Sequence, residues 1–220
     1  MKKECGRCGT CCRNGGPPLH IQDLHLIRTG VLAFDDLVTV RRGELVLPPM
    51  ADIPVPAETE WIKIQGRGGE WSCRFLDPSS GVCTVYAHRP SSCRVLKCWD
   101  TREILAMAGC DLLARADLIA GSDPLLALVR QQEERCPVPD MGLIAEMLAG
   151  RKGLVQLMKD LTLLVKGDLH IRALAVREFN ISVAGELFYF GRPLFQLFIP
   201  LDIVTTETAA GLQLQFRPGG

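Results

Sequence analysis

The sequence predicts an α+β protein, mainly helical: a small irregular cysteine-rich module with short β-hairpins, packed on an α-helical C-terminal half. Two observations carry this. Eight of the ten cysteines fall within the first 98 residues, a stretch that glycines and prolines break into short pieces. From residue 100 onward the apolar residues recur at helical spacing instead. The composition, 47% hydrophobic and 23% charged, is that of an ordinary globular chain. The expected division is residues 1–99 as a cysteine-cluster metal-binding module and residues 100–220 as a helical region packed on it, in one cooperative unit.

Lys plus Arg and Asp plus Glu both number 25, so the formal net charge is zero. Nucleic-acid binding draws most of its affinity from neutralising phosphates, so no nucleic acid is expected as a partner. Residues 187–204 are the most apolar stretch, but Arg192, Pro193, Gln196, Pro200 and Asp202 interrupt them, and no membrane span is expected. Met1-Lys2-Lys3-Glu4 leads straight into Cys5 without an apolar run. No secretory signal is therefore expected, and a cytoplasmic location is. In a reducing compartment, clustered cysteines bind metal or do redox work more often than they form disulfides.

In chain order, residues 19–28 read as a short helix stopped near Gly30. Residues 37–47 resemble a hairpin turning at Arg42-Gly43, and the four prolines within residues 48–56 mark a connection. Residues 61–64 read as a strand and residues 66–69 as a turn. Trp71, Cys73 and Phe75 alternate, as one face of a strand does. Asp77-Pro78-Ser79-Ser80-Gly81 is a turn signal, and Val82-Cys83-Thr84-Val85-Tyr86 follows. With a five-residue loop, Leu76 opposes Val82 and Cys83 opposes Phe75, so both thiols leave one face; a slip of one residue would separate them.

Asp100 and Glu103 suit a helix start, followed by a stripe of Ile104, Leu105, Ala108, Leu112, Leu113 and Ala116. Cys110 falls within that stripe and reads as core. Ser122-Asp123-Pro124 opens another helix, Asp140 caps residues 141–149, and Leu154, Leu157, Met158 and Leu161 continue the pattern. Asp168 opens a further helix to about Phe179. The last 40 residues fit strand and helix alike, and the aromatic stretch 186–194 reads as completing the core.

The sharpest motif is Cys5-x-x-Cys8-x-x-Cys11-Cys12. Its first three cysteines have the spacing that wraps a loop around a cubane cluster in bacterial ferredoxins. Gly6, Gly9, Gly15 and Gly16 allow positive φ and close backbone approach. A ferredoxin has its fourth cysteine three residues further on, whereas Cys12 follows at once. Adjacent side chains diverge, so Cys11 and Cys12 either serve different centres or only one is a ligand. Cys73, Cys83, Cys93 and Cys98 supply a second set. Zinc sites pair two short knuckles, and this spacing fits zinc less tidily than an iron–sulfur cluster, though soft thiolates suit both. Cys136, beside Pro137 at a helix end, reads as a core thiol first and a ninth ligand second. His88 reads as a surface turn residue, Tyr86 as core packing, and Arg89 and Arg94 either as charge offsets for a thiolate centre or as surface ion pairs.

Together with Cys73-Arg-Phe-Leu, Gly81-Val-Cys83-Thr-Val-Tyr86, Arg89-Pro90, Ser92-Cys93-Arg94 and Cys98, that motif resembles the CxxCxxCC (YkgJ-type) cysteine-cluster proteins. The family is described as a zinc- or iron-chelating domain, and the domain also resembles flagellin lysine N-methylases. The resemblance spans Cys5 to Cys98. It implies Cys5, Cys8, Cys11, Cys12, Cys73, Cys83, Cys93 and Cys98 as metal ligands. The expected cofactor is an iron–sulfur cluster, 4Fe-4S, in a redox-related role with a protein or redox partner. The alternatives are Zn2+ in a structural or interaction module, and a cluster-dependent protein methyltransferase. Gly66-Arg67-Gly68-Gly69 lacks the strand–helix context of a nucleotide loop.

Overall fold

A strand whose side chains are all apolar or β-branched has to be covered on both faces, and Leu37-Val38-Thr39-Val40 is such a strand. In the computed structural model, which describes residues 4–67, 71–209 and 211–217, all four of these residues are buried. The chain reaches them through one helical turn, α1 (Thr10–Arg13), a 3-10 turn at Ile21–Asp23 and a short helix, α2 (Leu24–Arg28). Gly30, at φ 75°, follows that helix where a stop was expected.

The expected hairpin over residues 37–47 does not form. Arg42 and Gly43 do turn the chain: Gly43 stands at φ 89°, and the Arg41 amide donates to the Glu44 carboxylate at 3.0 Å. Yet β1 (Leu37–Val40) does not pair with β2 (Leu45–Val46), which joins β3 (Val55–Pro56) across the proline-rich connection. β1 pairs antiparallel with β4 (Trp61–Ile64), Leu37 opposite Ile64 and Val40 opposite Trp61. The physical reason is burial. Ile62 and Ile64 are 0% and 1% exposed and give β1 a covered neighbour, which half-exposed β2 does not.

β5 (Gly66–Arg67) and β6 (Ser72–Cys73) form a two-residue pair with Gly66 opposite Cys73. Gly68 and Gly69, expected in the turn, lie outside the described residues. The turn at Asp77 forms as expected: the Gly81 amide donates to the Asp77 carbonyl at 2.8 Å, and Ser79 and Ser80 donate to its carboxylate. The register differs from expectation by one residue, because Leu76 rather than Phe75 bridges Cys83. The cause lies upstream. The Leu76 amide bonds the Cys73 carbonyl at 2.9 Å, a turn that ends β6 after two residues. Strand alternation then no longer decides where Cys73 and Cys83 point.

Two short helices follow, α3 (Ser91–Val95) and α4 (Arg102–Met107), the latter started by Asp100, which accepts from the Arg102 amide. The expected stripe to Ala116 is cut short because Gly109 (φ 77°) and Asp111 (φ 47°) break the helix. Leu113 instead runs between two earlier segments, donating to Leu19 and accepting from Ile62. Cys110, expected in the core, is exposed beyond that break.

The C-terminal half holds α5 (Leu126–Arg135), α6 (Met141–Gly150), α7 (Leu154–Phe179), α8 (Val183–Phe190) and α9 (Leu194–Leu197). The Asp140 carboxylate caps α6 by accepting from Leu143 at 3.0 Å, as expected. Asp168 opens no helix. It sits fully buried inside α7, where its carboxylate accepts from Gln132, from Arg172 and from the Leu194 amide at the start of α9. After residue 201 the ambiguous tail becomes a hairpin, β7 (Ile203–Thr208) with β8 (Gly211–Phe216), in which Leu214 donates to Thr162 of α7. Its Ile, Val and Thr residues suit a strand with one covered face. Helix makes up 44% and strand 17%, so the protein is α+β and mainly helical. No helix among the described residues is long and apolar enough to cross a membrane.

Two apolar clusters result. One gathers Leu19, Leu26, Leu37, Ile62, Ile64 and Cys73 with Leu113 and Phe188; the other is built by α5 to α9 and the final hairpin. The aromatic stretch joins them, since Phe188 enters the first and Phe190 the second, both fully buried. Fully burying one such side chain contributes about 1.5–3 kcal/mol. Polar links reinforce the junction: Glu133 of α5 accepts from buried Arg41 at 2.9 Å and from Arg115 at 2.6 Å. Burial alone would raise the Glu133 pKa, but the two guanidinium groups outweigh it and hold the carboxyl below its usual range.

Gly16 seats the cysteine-rich N-terminus on this frame. A Cβ there would lie 2.2 Å from the Ile64 carbonyl oxygen, a rigid strand atom. Gly16→Ala is therefore expected to cost about 1–3 kcal/mol, read as a lower urea midpoint with unchanged slope; an unchanged midpoint would show that the contact bears no load.

Candidate metal centre

The cysteines arrive on separate segments, and residues lacking side chains let those segments close. The first carries Cys5, Cys8, Cys11 and Cys12. Arg7 at φ 51° and Gly9 at φ 72° bend it into α1. Arg13 closes the loop by donating to the Cys8 carbonyl at 3.0 Å. A Cβ at Gly9 would lie 2.8 Å from the Gly81 carbonyl, so the loop rests on the turn that precedes Cys83. A Cβ at Gly66 would lie 2.5 Å from the Trp71 carbonyl, which lets β5 and β6 approach and places Cys73 beneath α1.

The segment with Cys93 is fixed by a residue that the sequence did not single out. Asp23, fully buried, accepts from the amide and the hydroxyl of Ser91, both at 2.7 Å, and from the His20 amide at 3.0 Å. Ser92 donates to the Pro18 carbonyl at 3.1 Å. α3 is thereby clamped to the segment that leads from the cysteine loop into α2. An acidic residue before a short helix carries no spacing signal that would have marked this role.

The outcome is a convergence of five thiols. Cys12 lies close enough to Cys11, Cys73 and Cys83 for their thiolates to repel its own, and Cys93 is in the same relation to Cys73, Cys12, Cys11 and Cys83. The Cys11 and Cys12 sulfurs are 3.9 Å apart, so the adjacent side chains do not diverge as expected; both lie on the single turn of α1. Burial, and after it the neighbouring thiols, push Cys12 up to about 12 and raise Cys93 as well. Cys73 is raised by burial first, with Cys83 and Cys11 adding to it. Cys5, Cys8 and Cys98 are exposed. Cys8 contacts the Thr10 hydroxyl at 3.3 Å, and Cys5 lines a cavity beside Arg89 and Arg94. Cys136 lies apart, buried among α5 to α9, where its carbonyl accepts from Arg41.

Lys63 also went unnoticed in the sequence. Alternation in Trp61-Ile62-Lys63-Ile64 turns both isoleucines to the core and Lys63 the other way, toward Gly15 and Cys73. Burial and the nearby Arg192 lower its pKa. Its ammonium is positioned to offset thiolate charge. His88 is exposed on a 3-10 turn, as expected. Tyr86 is not a core residue: it is half-buried, with the guanidinium groups of Arg7 and Arg89 lying 4.1 and 3.7 Å from its ring centre.

The donor set is all sulfur, and all ten cysteines are free thiols. Among the described residues, no three Cys, His, Asp or Glu side chains stand at metal-coordinating positions. Their chemistry fits a soft or borderline metal, since a bound cation stabilises thiolates against burial and mutual repulsion.

Fold and site together define a cysteine-based metal-chelating domain. Residues 4–111 match the family model CxxCxxCC, described as "Putative zinc- or iron-chelating domain", and this part of the chain is similar to that family. No curated protein and no solved structure matches the chain at a significant level.

The raised thiol pKa values set a pH dependence for the metal-free chain. Unfolded thiols release protons near 9, while the folded Cys12 waits until about 12. The unfolded state thus binds fewer protons over that interval, and stability falls as pH rises through it. Urea midpoints of metal-free protein should drop between pH 8 and 10; a constant or rising midpoint would contradict thiol crowding.

Proposed function

We propose that the chain holds a resident iron–sulfur cluster, of the 4Fe-4S type, and works in redox chemistry with a protein or redox partner in the cytoplasm. The ligands are drawn from Cys5, Cys8, Cys11, Cys12, Cys73, Cys83, Cys93 and Cys98. The observation that carries the reading is that Cys11, Cys12, Cys73, Cys83 and Cys93, from separate segments, lie near enough for their charges to interact. A tetrahedral zinc ion and a 4Fe-4S cluster each take about four cysteine ligands, so the thiol count suits both, and the Cys5-x-x-Cys8-x-x-Cys11 spacing is what favours the cluster. Such a cluster would supply one-electron chemistry. The protein's own part is to converge the thiolates, to bury Cys73 and half-bury Cys93, and to set the Lys63 ammonium near Cys73.

In this reading residues 1–99 form the metal module and residues 100–220 the frame behind it. The concentration of eight cysteines before residue 99 supports that division, and the bonds of Leu113 to Leu19 and Ile62 couple the two parts.

A zinc-binding structural or interaction module is the second reading, and one measurement favours it. The 3.9 Å between the Cys11 and Cys12 sulfurs is close to the edge of a tetrahedron with metal–sulfur bonds of about 2.3 Å, roughly 3.8 Å. The methyltransferase alternative rests on the family resemblance alone, and Gly66–Arg67, paired as a strand with β6, adds nothing to it.

Protein purified without oxygen should be brown and contain iron and acid-labile sulfide in near equal amounts. Zinc without sulfide would overturn the cluster in favour of the second reading, and absence of any metal would overturn both. Cys83→Ser should lose most of the metal; unchanged stoichiometry would remove Cys83 from the ligands.

A further inference from the structure

A cavity of about 360 Å³ opens at the edge of the cysteine loop, between that loop, the 3-10 turn at Tyr86–His88 and the segment after α3. Four cations line it, Arg7, Arg89, Arg94 and Lys97, against the single carboxylate of Glu4. In a chain of zero formal charge this is a marked local excess. Lys97 is paired with Glu103, and Arg94 donates to the Ser91 hydroxyl at 3.1 Å. Arg7 and Arg89 differ. Both lie against the Tyr86 ring, and neither has a carboxylate partner among the described residues. The Arg89 Nε is buried and finds no acceptor among the described residues.

A buried donor without an acceptor costs about 1–3 kcal/mol, and native structures retain few of them. Stacking on an aromatic ring uses the face of a guanidinium and leaves its edge donors free. Those edges match the paired oxygens of a carboxylate or phosphate. Two like charges held at one ring also repel each other until an anion lies between them. Trp99, 38% exposed, adds an apolar wall.

We propose that this cavity binds the oxyanion group, phosphate or carboxylate, of an incoming ligand, with Arg89 and Arg7 as its forked donors. The site lies beside Cys5, so a ligand held there sits next to the cysteine loop. The inference goes beyond the metal reading and does not depend on it, because none of its donors is a soft-metal ligand.

Titration calorimetry on the full chain, at about 0.1 M salt to screen non-specific attraction, tests it with two kinds of probe. Pyrophosphate and citrate represent free small oxyanions, and an Asp/Glu-rich peptide represents the carboxylates of a protein partner. At least one probe should saturate with Kd at or below about 1 mM. Arg89→Gln should weaken it about tenfold or more, while Arg89→Lys, which keeps charge but not the fork, should restore only part. Saturation by the small anions names a small ligand, and saturation by the peptide alone names a protein partner; either supports the site. Should Arg89→Gln not fold, Arg7→Gln on the exposed loop repeats the comparison. Absence of binding by every probe, or undiminished binding in the arginine variants, would overturn the proposal. Metal content measured on the same samples separates loss of anion binding from loss of the metal centre.

Discussion

Crowding thiols is electrostatically one-sided, because each proton lost makes the next harder to lose. In this protein burial first, and the neighbouring thiols after it, raise the pKa values of Cys12, Cys73 and Cys93, and the arrangement gains nothing by itself. The cost is relieved when a cation takes the place of the protons. The architecture around the cysteines serves that crowding. Gly9 lies on the Asp77–Gly81 turn, Gly16 on β4 and Gly66 on Trp71, each at a distance that leaves no room for a side chain. Asp23 fixes the segment with Cys93 from the opposite side.

The C-terminal half contributes by holding that frame still. Its helices form their own apolar cluster, and they reach the cysteine module through a few strong links. Phe188 stacks on Phe34 at 4.1 Å, and Glu133 ties Arg41 to Arg115. Glu133 is itself exposed, so these pairs add little net stability, but losing its carboxylate would leave the buried Arg41 guanidinium short of a partner. They therefore specify how the halves meet more than they stabilise the meeting. Among the described residues the first hundred form only short helices and two-stranded pairs, and such links tie these to the longer helices.

Much of the fold was legible in the sequence wherever one local rule decided the outcome. The α6 cap at Asp140, the strand at Trp61–Ile64, the Asp77 turn and the aromatic contribution of Phe188 and Phe190 all followed from short-range pattern. Expectation and structure parted where a tertiary contact outbid a local one. β1 took Ile62 and Ile64 as neighbours rather than the nearer β2. Leu113 left its helical stripe to bond Leu19 and Ile62. Asp168 faced the start of α9 instead of opening a helix. At the centre, spacing and resemblance brought out the eight cysteines, but the clamp at Asp23 and the charge at Lys63 had no sequence signature, since their roles exist only once distant segments meet. The hairpin register was missed by one residue, yet Cys73 and Cys83 still approach each other, because the turn at Cys73–Leu76 replaces the strand on which that register argument rested.

In the proposed centre, sulfur alone surrounds the metal. X-ray absorption at the iron or zinc edge, on full-length protein loaded without oxygen, addresses it directly. A first shell made only of sulfur, at about 2.3 Å, is the predicted result whichever metal is present. A shell dominated by nitrogen or oxygen would contradict the account, because it would place the metal away from the gathered thiols.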